Sequence, residues 1–139
     1  MKFWDSSAVI PLLFQEAASG TLQKLLASER QMHVWWGTEL ECVSAIARRE
    51  REGLHSQRVS QALERLRQFR EDWSEVLPSA GVREMATRLV RVHPLRAADS
   101  LQLAAASVLA RQGAFVVELV TLDDRLRLAA SREGFVTRP

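Results

Sequence analysis

Four carboxylates in this chain stand where a fold would have to gather them: Asp5, Glu41, Asp99 and Asp123. Asp5 and Asp123 each follow an apolar, strand-like run, Met1–Trp4 and Phe115–Val120. Glu41 and Asp99 sit near the starts of two helix-like segments. In a parallel α/β sheet the carboxyl ends of the strands and the amino ends of the following helices share one edge, where ligands bind. Acids far apart in sequence can therefore meet in one pocket. A pocket of carboxylates without a partnering lysine is an oxygen-ligand site for a hard divalent cation.

Each acid also has a plainer use. Asp5 precedes Ser6-Ser7-Ala8 and could cap a helix, and Asp99 stands where a helix dipole favours a carboxylate. Of Asp123 and Asp124, one can cap the helix that follows, which leaves the other to be explained. Glu41 competes with Glu39: residues two apart on a helix point roughly 200° apart, so only one can face a pocket, and spacing does not choose. Thr38 and Glu41 also fit a capping box. Other constellations fail. His33, His55 and His93 have no zinc-like spacing with one another or with Cys42, and there is no nucleophile elbow or phosphate-binding glycine loop. His93 reads as a helix-end residue. Trp35-Trp36 could stack bases, although such a pair is more often half core and half surface. Arg48, Arg49 and Arg51 read as a solvated helix face that could hold phosphates beside a metal.

The positioning elements follow from periodicity. Strands are expected at Met1–Trp4, Met32–Trp36, Glu75–Leu77, Phe115–Val120 and Phe135–Thr137. Helices are expected at Ser6–Phe14, Ala18–Glu29, Thr38–Glu52, Ser56–Trp73 (with Val59, Leu63, Leu66 and Phe69 on one stripe), Val82–Val92, Ala97–Arg111 and Asp124–Arg132. The alternation implies an α/β fold, a short-stranded parallel sheet with helices on both faces. The pair spanning Thr38–Trp73 is long for a simple crossover, so part of it is expected to project as a hairpin.

The chain has 139 residues and 47% hydrophobic content, which fits a single domain, 1–139. No apolar run approaches the ~20 residues of a membrane span, and no basic-plus-apolar leader precedes the first strand. The chain is expected to be soluble and cytoplasmic, and lone Cys42 agrees with a reducing compartment. Net charge is +2, and apart from Lys2 and Lys24 the basic residues are arginines. Arginine forks onto phosphate, although the excess also fits a compositional bias.

Together, Asp5-Ser6-Ser7-Ala8 after a first strand, Thr38-Glu39-Leu40-Glu41 leading into Ala45-Ile46-Ala47-Arg48-Arg49, Ala98-Asp99-Ser100-Leu101-Gln102-Leu103-Ala104, and Val120-Thr121-Leu122-Asp123 followed by Arg125-Leu126 and Ala129-Ala130 resemble the PIN domain. The likeness spans essentially the whole chain and is greatest to the VapC-type toxins of toxin–antitoxin pairs. The resemblance implies a three-layer α/β/α fold and a Mg²⁺- or Mn²⁺-dependent endoribonuclease. It selects Glu41 over Glu39, from the position eight residues before Arg49. It makes Asp5, Glu41, Asp99 and Asp123 both the metal ligands and the catalytic acids, with Thr121 orienting a carboxylate from behind. It also implies an RNA substrate, a homodimer and a cognate antitoxin. Leu12, Leu13, Phe14, Leu22, Leu25 and Leu26 exceed what one short helix pair buries beneath itself, which suggests a groove for an amphipathic antitoxin helix. Two rivals remain. One is a non-catalytic protein-binding module whose acids are helix caps. The other is a phosphohydrolase with an aspartate nucleophile, which would want Asp where Ser7 stands and a pocket lysine.

Overall fold

A computed structural model describes residues 1–113 and 115–139. Five strands form one sheet: β1 (Lys2–Trp4), β2 (Met32–Trp35), β3 (Ser74–Val76), β4 (Glu118–Val120) and β5 (Val136–Arg138). Their order is β3-β2-β1-β4-β5, and every pairing is parallel. Seven helices connect them: α1 (Ser6–Phe14), α2 (Ser19–Ser28), α3 (Thr38–Arg51), α4 (Ser56–Asp72), α5 (Ala80–Val92), α6 (Ala97–Gln112) and α7 (Asp124–Arg132).

Side chains alternate across a strand, and this period of two divides the core. Phe3, Trp35 and Leu119 face one layer, where they pack with Leu89, Leu103 and Leu126 of α5, α6 and α7. Trp4, Val34 and Val120 face the other, with Leu12, Leu22, Ile46 and Leu66 of α1, α2, α3 and α4. The expected three-layer α/β/α architecture is therefore present. From β1 the chain first builds outward through β2 and β3, then crosses back to lay β4 against the other side of β1. The carboxyl ends of β1 and β4 thus flank the point where strand order reverses, the crevice in which such sheets bind ligands.

Several expectations are corrected. Strand pairing at β4 begins at Glu118, opposite Lys2, with Glu118 N donating to Met1 O, and Phe115 and Val116 lie exposed outside the ladder. On α4, Leu63 faces solvent and Ala62 takes its place in the buried stripe with Val59 and Leu66. The α3–α4 pair does not stand out from the body: Cys42, Ile46, Val59, Ala62 and Leu66 bury it against α1. Leu12, Leu13, Phe14 and Leu22 are buried in the same layer, with Leu25 and Leu26 packed against it. The apolar excess is therefore absorbed by the chain's own core, and the groove it suggested has no such support.

His93 is indeed a helix-end residue, the C-cap of α5. Its buried ring lies 2.6 Å (Nε2) from Glu133 Oε1, while Arg88 donates to Glu133 Oε2 at 2.5 Å. The Arg88 hydrogen bond holds the Glu133 carboxyl below its ordinary value, with His93 a smaller influence in the same direction. That contribution is present at neutral pH and lost as pH falls through the lowered value. Glu133→Ala strands the buried His93 and is expected to lower unfolding free energy at neutral pH by about 1–3 kcal/mol, read by urea denaturation. An unchanged midpoint would show that this contact ties nothing down.

Candidate active site

The structure brings Asp5, Glu41, Asp99 and Asp123 into the lining of one cleft of about 820 Å³ at the carboxyl edge of the sheet. The elements explain how. Asp5 is the residue after β1 and caps α1, and Asp123 follows β4 by three positions and caps α7. Glu41 and Asp99 lie in the first turns of α3 and α6.

Capping by Asp5 and Asp123 engages only one oxygen of each carboxylate, so the capping reading does not exhaust either acid. Asp5 Oδ2 accepts from Ser7 N at 3.3 Å, Ser7 Oγ at 2.5 Å and Thr121 Oγ1 at 3.0 Å. Asp123 Oδ1 accepts from Leu126 N at 2.8 Å. The second oxygen of each carboxylate accepts no hydrogen bond among the described residues. Asp99 has a backbone hydrogen bond with Arg96 and, among the described residues, none from a side chain. Thr121 is fully buried and also accepts from Asp123 N at 3.1 Å, so one hydroxyl braces the acids behind β1 and β4.

Geometry also separates Glu41 from Glu39. Glu39 turns outward to an ion pair with Arg70 at 3.2 Å. Glu41 turns in: Oε2 accepts from Ser6 Oγ at 2.7 Å, and Oε1 from Gln102 Nε2 at 2.9 Å. The expected capping box does not form, since Gly37 occupies the N-cap and the Thr38 hydroxyl accepts from Gln102 instead, at 3.0 Å. Ser6, Ser7 and Gln102 were not singled out as site residues from sequence. The signal available for Gln102 was its spacing: three residues after Asp99, a polar side chain on the same face of an otherwise apolar helix.

Among the described residues none of the four acids belongs to an ion pair. The consequences appear in their protonation. Burial raises the Asp5 carboxyl from 3.8 to about 6, against the hydrogen bonds from Ser7 and Thr121, and Glu41 adds to the rise. Burial also raises Glu41, with Asp99 contributing, and raises Asp99, with Asp123 contributing. The like-charge couplings run as a chain, Asp5 to Glu41 to Asp99 to Asp123. Among the described residues no three His, Cys, Asp or Glu side chains form a ready-made ligand cluster. The donor set nevertheless fits a hard divalent cation: carboxylate oxygens only, three acids with oxygen left over, and negative charge that Arg96 and Arg125 offset only in part at Asp99.

Arg48, Arg96 and Arg125 share the cleft lining, and among the described residues no lysine does. Of the arginines on α3, Arg49 is committed elsewhere, paired with Glu16 and stacked 4.2 Å over the Phe14 ring. Trp35 and Trp36 divide as the plainer reading expected, Trp35 buried and Trp36 half exposed. Burial pushes the Cys42 thiol up to about 12, which suits an unreactive core filler.

The PIN domain profile matches residues 2–131, and the chain belongs to the PIN domain family. Its fold is shared with several solved structures. Mycobacterium tuberculosis VapC20, a sarcin-ricin loop cleaving toxin, is 22% identical with a TM-score of 0.69, and the match covers 100% of both chains. PAE2754 from Pyrobaculum aerophilum is 18% identical with a TM-score of 0.69, over 98% of this chain and 82% of that one. VapBC2 from Rickettsia felis, bound to a DNA fragment from its promoter, is 13% identical with a TM-score of 0.65, over 99% and 96%. At such identities the likeness is one of fold. No curated protein matches the chain in sequence. No helix among the described residues is long and apolar enough to cross a membrane.

The folded Asp5 carboxyl titrates above its unfolded counterpart, so ionising it costs stability. That cost grows as pH rises from about 4 to about 6 and is complete above, amounting to up to about 3 kcal/mol. Asp5→Asn keeps an acceptor for Ser7 and Thr121 and removes the charge. In metal-free buffer it is expected to melt higher than the parent at pH 7 to 8 and equally at pH 4. A mutant that melts lower at pH 8 would contradict the buried-charge account.

Proposed function

We propose that this chain is a Mg²⁺- or Mn²⁺-dependent endoribonuclease and the toxin of a toxin–antitoxin pair. The observation that carries the reading is the cleft of four carboxylates at the strand-order reversal, none of them in an ion pair among the described residues, with arginines on its lining. Asp5, Asp99 and Asp123 would hold the cation through their free oxygens, with Glu41 completing the charge. When bound, the cation supplies a Lewis acid and activates water for in-line attack at phosphorus. The chain's own residues do the rest. Thr121 and Ser7 fix Asp5, the α7 backbone fixes Asp123, and Arg48, Arg96 and Arg125 hold phosphates flanking the cut.

RNA is favoured as substrate by the likeness to a toxin that cleaves the sarcin-ricin loop. An antitoxin partner is favoured by the likeness to VapBC2 and to a toxin–antitoxin complex from Klebsiella pneumoniae. A homodimer and a cytoplasmic site of action belong to the same reading. An antitoxin arginine entering the acid cleft would replace the cation's charge and so inhibit.

Purified protein is expected to cut RNA only with Mg²⁺ or Mn²⁺, to stop in chelator, and to melt higher with either ion, since only the folded chain assembles the acids. Asp99→Asn should lower kcat by at least about 10²-fold, more than loss of an outer partner typically costs. Metal-independent cleavage would overturn the cation's role, and no cleavage with no thermal shift would favour the protein-binding module instead.

Partner binding is tested separately. Co-expression with the protein of the adjacent reading frame should silence cleavage and move the elution volume, and light scattering on the free toxin should give the mass of two chains. Unaltered cleavage and elution would refute the inhibitory complex, and a monomer at high micromolar concentration would refute the dimer.

A further inference from the structure

We propose that Gln102 and Ser6 are positioning residues that clamp Glu41 in the cleft, and that Glu41 serves the cation only while so held. This rests on the nuclease reading of the same site.

The case begins with the difference between one and two methylenes. Asp5 and Asp123 are short side chains tied to the backbone of helices they cap. Glu41 is longer, has an additional side-chain torsion and caps nothing. Asp5 and Asp99 lie near enough to repel it, which favours rotamers that swing it out toward water. Glu39, two residues earlier on the same helix, shows where an unclamped glutamate goes: outward, to an arginine. Glu41 is held back by neutral donors, one on each oxygen. Ser6 Oγ reaches Oε2 from α1, and Gln102 Nε2 reaches Oε1 from α6.

The orientation of the Gln102 amide is itself fixed. The side chain is fully buried, and Nε2 serves two acceptors, Glu41 Oε1 and the equally buried Thr38 Oγ1. Turning the amide over would set its oxygen against a carboxylate. In the orientation observed, Gln102 Oε1 is buried and has no hydrogen-bond partner among the described residues. A buried carbonyl left unpaired costs stability, and an apolar side chain of similar size would avoid that cost. What the amide provides in return is a donor aimed at Glu41. A cation would be excluded from a clamp of this kind, because it would neutralise the charge the site needs. The donors are neutral, and the carboxylate keeps its negative charge.

Gln102→Met keeps the length and removes the donor, and Ser6→Ala removes the other hydrogen bond without entering the core. Each is expected to weaken Mn²⁺ binding to the metal-free protein, measured by titration calorimetry, by about 10–100-fold. The same variants should lower kcat on RNA while KM stays level, since the clamp holds an acid rather than the substrate. The decisive comparison is made in a Glu41→Gln background, where adding Gln102→Met or Ser6→Ala should change Mn²⁺ affinity by less than about twofold, because the residue each acts through is already gone. Full additivity, or parent-like Mn²⁺ affinity in both single variants, would overturn the clamp. Should Gln102→Met fail to fold, Ser6→Ala carries the same test. If the parent itself neither binds Mn²⁺ nor cleaves RNA, the nuclease reading falls as well; if the parent does both and the variants match it, only the clamp falls.

Discussion

Negative charges brought into one cleft repel one another, and burial deprives them of the water that would otherwise compensate. Two charges 4 Å apart interact by about 4 kcal/mol at an effective dielectric of 20, so a cleft of four carboxylates must be enforced by its surroundings. Here the enforcement is by neutral groups. Serine and threonine hydroxyls, a glutamine amide and helix amides hold Asp5, Glu41 and Asp123, and none of the four acids is paired with a cation among the described residues. The rest of the chain supplies the rigidity that makes this possible. Two apolar layers lock the sheet from both sides and fix the strand ends from which two of the acids project.

The site also joins those layers. The acids on α1 and α3 belong to one side of the sheet and those on α6 and α7 to the other, so their arrangement depends on how both layers seat on the same strands. Gln102, rooted in α6, reaches Thr38 and Glu41 of α3 around the carboxyl edge. A core substitution in either layer that tilts its helix would therefore be felt in the spacing of the carboxylates, without touching them.

Much of this was legible in the residues. The alternation of Phe3 with Trp4, the Asp after each of two strands and the helical stripes define the layers and the edge at which the acids meet. Pairing and competition among polar groups were less legible. Phe115 and Val116 look like strand, but apolar type alone does not bring a residue into a ladder, and both lie exposed ahead of the first pair, Glu118 with Lys2. Thr38 and Glu41 look like a capping box, but Gln102, sixty-one residues beyond Glu41, takes both side chains for other work. Periodicity left Glu39 and Glu41 undecided because the choice lies in Arg70 and Gln102, both distant in sequence. The apolar residues of α1 and α2 suggested a free groove because sequence does not reveal that α3 and α4 fold down over them.

The two edge strands, β3 and β5, have only three residues each, and their side chains are at least partly exposed. Arg138 on β5 is engaged with Glu118 of the neighbouring strand. So short a border leaves very few open backbone amides and carbonyls, and charge on it discourages a further strand. The sheet is thus poorly suited to growing by one more ribbon, whether from a partner's extended tail or from another copy. Short edges of this kind offer little main chain to read, whereas a helix presents its side chains, so the two kinds of surface differ in how much sequence they display.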